Sequence, residues 1–481
     1  MLFPTPEFLF GFLPAATLGY FLLAKISHRL AILWLAIASL FFYGYWNTTY
    51  LWLLIASICF NYTVGTAIIA YSGSPRARTL LTLGVSTNIC LLIYYKYCMF
   101  LAGIARSAGL DIPLFEIYLP LGISFFTFTQ IAFLVDAYRG QAERSGFVNY
   151  FLFVTYFPHL IAGPILHHRA MMSQFATRTL SVFSRENFMI GLTFLLIGLF
   201  KKLVIADNIA GYANDLFTVA EKGVVPDIRS AWIGAVAYSF QLYFDFSGYC
   251  DMAVGMSRML NITIPYNFNS PYKATSIIDF WRRWHMTLSN FLRDYLYIPL
   301  GGNRRGDTRR YVNLFMTMLI GGAWHGAGWT FVVWGALHGS FLVVNHLWVS
   351  LRRRLNWTVD HLLYAVPAWL LTMACVVVAW VYFRASTFAS ANIILKSMLG
   401  LTPSTFNVYN DDIAIYLLGL GAIVALLPNT QQLIDRAPGY RSIAWRPSVA
   451  WGLGVGVLAG AAATVLLAGG GGMKNFLYFQ F

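Results

Sequence analysis

Charge is scarce in this chain. Of its 481 residues, 11% are Asp, Glu, Lys or Arg, while 58% are hydrophobic. A soluble domain carries roughly 25% charged residues, so a water-soluble globular fold is excluded. Acids are scarcest: 19 Asp and Glu stand against 33 Lys and Arg, a net charge of +14. In a soluble protein that excess would suggest nucleic acid. Here the gathering of basic residues in cytoplasmic loops accounts for it, and no nucleic-acid partner is expected. Cysteine is nearly absent too. Cys59, Cys90, Cys98, Cys250 and Cys375 lie mostly in apolar segments, without CxxC or Cys/His ligand spacing; neither metal nor disulfide is expected. There is no HExxH, no Gly-Lys-Ser/Thr phosphate loop and no G-x-S-x-G, so metalloprotease, P-loop and serine hydrolase chemistry lack support. The N-terminus has no basic n-region and no A-x-A-like site, so it reads as a first membrane segment rather than a cleaved signal.

What the chain does have is long apolar windows. Residues 8–24, 30–46, 50–71, 79–101 and 117–135 read as the first five spans, and 188–200, 232–246, 361–383, 413–427 and 449–467 as later ones. They run from 13 to 23 residues, against the roughly 20 that cross a bilayer. The loop after the first span carries Lys25, His28 and Arg29, and the loop after the third carries Arg76 and Arg78; the loop after the second, Asn47-Thr-Thr, is uncharged. This alternation sets the N-terminus outside. Arg436, Arg441 and Arg446 place the loop before the last span inside, which sends the C-terminus outside as well. Both termini are therefore expected on the outer face of the membrane. Residues 147–165 are broken by Pro158, Gly163 and Pro164 and read either as a re-entrant segment at a cavity or as a short kinked helix. His167 and His168 follow that break. With re-entrant pieces the total comes to roughly eleven to thirteen membrane segments, in one all-α polytopic domain covering 1–481. No soluble domain large enough to fold alone is apparent.

The exception to the oily background is residues 279–339. The stretch begins Asp279-Phe-Trp-Arg-Arg-Trp-His285, continues Arg293-Asp-Tyr-Leu-Tyr-Ile-Pro-Leu-Gly-Gly-Asn-Arg304-Arg305 and ends Gly321-Gly-Ala-Trp-His325-Gly-Ala-Gly-Trp329. Polar groups in a membrane are costly and usually functional. Basic residues flank 311–349 on both sides, so this segment enters the membrane and returns, as two crossings or a re-entrant pair. His325 then falls near mid-depth, about 20 Å in at 1.5 Å per residue, in a core about 30 Å thick. A neutral imidazole there can take a proton from a hydroxyl near pH 7, and the glycines beside it permit close approach. His285 is the second candidate, lining the same cavity or bonding within an interfacial helix over 277–297. Arg282, Arg283, Arg293, Arg304 and Arg305 either clamp the phosphates of a nucleotide-bearing donor or simply mark the cytoplasmic side. Asp245 and Asp251 need cationic partners, for which the downstream arginines are the obvious supply. His338 and His346 read as structural or interfacial.

These runs, with Tyr243-Phe-Asp-Phe-Ser-Gly-Tyr, Asn267-Phe-Asn-Ser-Pro-Tyr-Lys-Ala-Thr-Ser, Phe157-Pro-His-Leu-Ile-Ala-Gly-Pro-Ile and Lys201-Lys-Leu-Val-Ile-Ala-Asp, resemble the membrane-bound O-acyltransferase family. The likeness is greatest to the bacterial branch typified by the membrane subunit of alginate O-acetylation. It spans about 115–346 and reaches the Tyr-Phe-Gln-Phe end of a tail that follows the C-terminal helices of 361–481. The resemblance implies a ring of helices around a tunnel through a thinned membrane. It implies that His325 is catalytic and His285 the second functional position, and that donor enters from the cytosol while acceptor meets the histidine from the far side.

The expected activity is acetyl transfer from a cytosolic thioester, with acetyl-CoA as co-substrate rather than a bound cofactor. The acceptor would be an alginate-like exopolysaccharide or a periplasmic partner protein. Cellulose, peptidoglycan or teichoic acid, the last with a D-alanyl donor, are the alternatives within the same chemistry. From other classes, a polysaccharide or lipid transporter and a scaffold subunit for periplasmic enzymes are kept as rivals. Glycine 469–472 and the aromatic tail beyond it read as a floppy end or as one seated at the membrane interface or on a partner.

Overall fold

The computed structural model describes the chain except residues 114–116, 357–360, 405, 411, 469–475 and 478–481. Every regular element among the described residues is helical. Seven of these helical stretches are long and apolar enough to cross a membrane: Glu7–Ala24, Thr48–Ala70, Pro75–Ser107, Arg185–Glu221, Trp329–Arg354, Leu363–Arg384 and Val449–Leu467. Shorter apolar helices lie at His28–Gly44, Ile123–Tyr138 and Asp412–Leu426. The protein is an all-α polytopic membrane protein. Its chain clusters into two compact units, residues 1–199 with 249–265, and residues 200–248 with 266–481.

The first unit contains α1 (Leu13–Ala24), α2 (His28–Gly44), α3 (Leu51–Ala70), α4 (Pro75–Leu92), α5 (Cys98–Ser107) and α6 (Ile123–Tyr138), of which α3, α4 and α6 pack through small residues and buried amides. A Cβ on Gly65 would stand 2.1 Å from the Phe133 ring, and one on Gly84 2.6 Å from Leu134; glycine lets these helices close up. Asn88 donates to Asn61 at 2.7 Å, Asn61 donates back at 3.3 Å, and Gln130 donates to Ser57 at 3.1 Å. Such bonds join helices that no hydrophobic force separates from lipid.

The stretch over 147–165 resolves as a break rather than a kink. Helix α7 (Phe147–Thr155) stops at Tyr156, the chain continues in turns, and regular helix resumes only at α8 (His168–Phe175). Tyr156, Phe157, His159, Leu160 and Ile161 are all buried. Irregular backbone survives at membrane depth only inside protein, and side chains complete it here. His159 Nε2 bonds the Phe153 carbonyl at 2.8 Å, and the Phe157 N–H donates to Ser39 Oγ at 3.2 Å.

The span expected to stop at Lys201-Lys202 does not stop there. Helix α9 (Arg185–Leu199) runs through a π-helical turn, Phe200–Ala206, into α10 (Asp207–Glu221). The lysines are neutralised, not expelled. Lys202 Nζ lies 2.8 Å from Asp207 and 2.6 Å from Asp245, while Lys201 donates to Thr430 at 2.9 Å. Asp245 therefore draws its cation from upstream rather than from the arginines expected to serve it. It sits on α11 (Ile228–Met259), a 32-residue helix that runs on past 246, where the span expected over 232–246 ends. Of the tail from residue 469 onwards, after α20 (Val449–Leu467), only Phe476 and Leu477 are described. Both are buried, and the Leu477 N–H donates to Asp245 Oδ2 at 3.0 Å. Those two residues are seated; the glycine run and the remaining aromatic residues lie outside the described part.

Residues 311–349 form a hairpin of α14 (Asp307–His325) and α15 (Trp329–Arg354). The helices meet at glycine. A Cβ on Gly335 would lie 2.5 Å from the Met318 carbonyl oxygen and 3.0 Å from Gly322 Cα. These are backbone atoms that cannot rotate away. Gly335→Ala should destabilise the protein by about 1–3 kcal/mol, the usual cost of overpacking. Thermal unfolding in detergent checks this against Gly11→Ala, where nothing lies within 4 Å; equal melting of the two variants would refute the close-approach argument.

Candidate active site

His325 is the last residue of α14. The chain there turns extended at Gly326 and re-enters helix at Trp329. Gly326 is required by packing, since a Cβ would stand 2.2 Å from the Phe331 ring. The imidazole is 5% exposed and walled by aromatics. Trp324 and Trp334 each lie 4.9 Å away between ring centres, and Phe383 of α16 (His361–Arg384) lies 5.3 Å away. Three large apolar rings limit water access and fix the ring plane, conditions that suit a base held ready for one partner.

A single helix over 277–297 is the sequence expectation for His285. Instead this residue is the hinge between two short helices, α12 (Ile277–Arg283) and α13 (Met286–Leu292), with φ 43° and ψ 53°. A non-glycine residue in this left-handed region costs of order 1 kcal/mol or more and persists only where its surroundings hold it. Several contacts do so. Ser276 caps α12 by accepting from the Asp279 N–H at 3.1 Å, and the Met286 N–H donates to the Asn267 carbonyl at 2.9 Å. The Asn267 side chain then orients the ring. Its Oδ1 accepts from the Thr287 N–H at 3.2 Å and the Thr287 hydroxyl at 3.0 Å, and lies 3.0 Å from His285 Nδ1. A backbone N–H can only donate, so Asn267 presents oxygen. His285 Nδ1 therefore carries the proton, and Nε2 carries the lone pair.

Asn267 opens one of the runs that carry the family likeness, but spacing alone does not tie it to a histidine 18 residues later. Removing its oxygen strands buried donors at about 1–3 kcal/mol each. Asn267→Leu should lower both the melting temperature and the turnover. Asn267→Asp, which keeps an acceptor at the same place, should retain more of both; equal loss in the two variants would remove the orienting role.

One aromatic wall joins the two histidines. Phe246 meets the His285 ring edge-on at 4.9 Å and Phe268 at 5.0 Å. Phe268 meets Trp284 at 5.0 Å, Trp284 meets Trp380 at 5.0 Å, and Trp380 stacks on Trp334 at 5.8 Å, beside His325. His338, read as structural or interfacial, lies in this wall and accepts from Trp281 Nε1 at 3.2 Å. His346 lies 2.9 Å from Arg310.

The arginines divide. Arg283 is held by Asp279 through two 2.9 Å contacts, four residues apart on α12. Arg293 is paired with Asp294. Arg282, Arg304 and Arg305 are exposed. The last two ride on a turn in which Gly301, Gly302 and Gly306 have positive φ, pinned by Asn313 Nδ2 donating to the Gly302 carbonyl at 3.0 Å.

A profile of the membrane-bound O-acyltransferase family matches residues 21–386, which contain both histidines, the aromatic wall and the arginine turn. The chain belongs to this family. It is thus an O-acyltransferase. Among its relatives, a peptidoglycan O-acetyltransferase of Helicobacter pylori is 46% identical over 429 residues, covering 83% of this chain and 80% of the relative. A protein named "Probable alginate O-acetylase AlgI" from Pseudomonas aeruginosa is 42% identical over 398 residues, covering 81% and 73%. A teichoic acid D-alanyltransferase of Bacillus subtilis is 27% identical over 253 residues, covering 49% and 61%. The acyltransferase motifs around His285 and His325 are the ones that carry the resemblance in the sequence.

Proposed function

We propose that this protein moves an acetyl group from a cytosolic thioester of the acetyl-CoA class across the bacterial inner membrane to a hydroxyl of a cell-envelope saccharide. The transfer is direct or runs through a periplasmic partner protein. The observation that carries the proposal is His325: a buried imidazole at the broken end of a helix, enclosed by Trp324, Trp334 and Phe383. In the proposed reaction His325 accepts the proton of the acceptor hydroxyl as its oxygen attacks the thioester carbonyl. The C–S bond breaks, an ester forms, and the departing thiolate takes the proton back. His285, with its Nε2 lone pair, positions the reactants. Arg282, Arg304 and Arg305 meet the donor's phosphates at the cytoplasmic mouth, and both termini are periplasmic.

An acetyl donor is favoured over a D-alanyl one. The relatives named for O-acetylation match over 80% or more of this chain, whereas the D-alanyltransferase of B. subtilis matches over 49%. For the acceptor, peptidoglycan and an alginate-like polymer are the two readings supported by relatives of comparable identity. The test is radiolabelled acetyl transfer in proteoliposomes with each polymer outside. An O-acyltransferase forms a base-labile labelled ester. A transporter would move saccharide or lipid without forming one, and that result would sink the proposal.

A further inference from the structure

Helices α15 and α16 bound a cavity of about 550 Å³ that neither His285 nor His325 lines. Its walls are mostly apolar, with Phe341, Val344, Tyr364 and Leu371 prominent, and Ser276 and Asn345 among its polar groups. The volume lies within the roughly 300–1,000 Å³ of small-molecule sites. One flank is open along two membrane spans, where Val344 is 63% exposed and Leu371 67%; exposed apolar side chains on a span face acyl chains. One end is basic. The Arg352 guanidinium lies 4.5 Å over the Tyr364 ring, and the Tyr364 hydroxyl accepts from Trp348 Nε1 at 3.1 Å. Arg353 and Arg354 follow on the same helix end.

We propose that this groove binds an anionic phospholipid of the cytoplasmic leaflet, with an acyl chain in the cavity and the phosphodiester at Arg352. Basic pockets between membrane helices on the cytoplasmic side are suited to anionic headgroups. The three consecutive arginines assign this end to that side. An acyl chain asks nothing of the walls but contact. The amide-bearing arm of a thioester donor would need several hydrogen-bond partners along its length, and Asn345 Oδ1 already accepts from the Ile278 N–H at 3.3 Å. The lateral opening also favours an occupant that arrives from the bilayer.

Native mass spectrometry of the full-length protein tests this, using phosphatidylglycerol and phosphatidylcholine with identical acyl chains. The wild type should retain one phosphatidylglycerol in preference to phosphatidylcholine. Arg352→Gln should lower phosphatidylglycerol retention roughly fivefold, the effect of one arginine near a headgroup, and leave phosphatidylcholine unchanged. Leu371→Trp, at an exposed position that fills the groove, should lower both. Equal phosphatidylglycerol retention in all three proteins, or no preference between the two lipids in the wild type, would overturn the assignment. Displacement of the lipid by coenzyme A would give the site to the donor and overturn it too.

Discussion

Replacing His325 by alanine should lower acetyl transfer by about 10²–10⁴-fold, the usual contribution of a positioned general base, with little loss of stability. The geometry makes this a clean experiment. The imidazole ends helix α14, between Trp334 of α15 and Phe383 of α16. The hairpin is held elsewhere, where Gly322 and Gly335 bring α14 and α15 together. A His325→Gln variant separates shape from proton transfer, since glutamine keeps a polar planar group but cannot act as the base. Both variants should express in the membrane and melt near the wild-type temperature while forming ester only at that residual rate. Full acetylation by His325→Ala would end the assignment of His325 as base. It would also revive the scaffold reading, in which truncation after Gly472 should be the disabling change.

The break at His325 is legible in the sequence because its cues are local. A Gly-flanked Trp-His-Gly run inside an apolar segment bounded by basic loops has few realisations other than a helix that stops and returns. The hairpin over 311–349 and the last spans are legible for the same reason: apolar runs of membrane length carry their own ends. His285 is legible as a candidate but not as a hinge. Its left-handed conformation depends on Asn267, which approaches from a separate extended segment. The Asp279–Arg283 pair is visible in principle, since four residues on a helix bring the two side chains together. It is masked because arginines beside a membrane suggest donor contacts or topology marks before they suggest a local partner.

The expected end of the span at Lys201-Lys202 fails for a different physical reason. A lysine pair normally marks the water boundary because an isolated charge in hydrocarbon is expensive. That rule fails when the counter-charge arrives from another helix. Asp245 is 43 residues further along and lies on α11, a relation that no window along the chain can reveal.

The same triad yields the second large effect. Lys202 is the cation shared by Asp207 and Asp245, and the Lys202 and Asp245 side chains are 7% and 2% exposed. Removing one partner of a buried ion pair costs about 3–5 kcal/mol, because the remaining charge is left uncompensated. Lys202→Met should therefore lower the melting temperature more than Gly335→Ala does. Two carboxylates lose their cation, and the anchor of the Leu477 N–H is disturbed with them. Removing the stranded charge as well should recover part of the loss. Lys202→Met combined with Asp245→Asn leaves an amide oxygen able to accept from Leu477 and one carboxylate fewer to neutralise. The double variant should melt above Lys202→Met alone, and a thermodynamic cycle over the two sites should show strong coupling. The tail offers an independent readout. If Asp245 is its anchor, proteolysis near the C-terminus should accelerate in Lys202→Met and be partly restored in the double variant. Strict additivity of the two substitutions, with unchanged proteolysis, would mean that the triad neither carries the span through the membrane nor holds the tail.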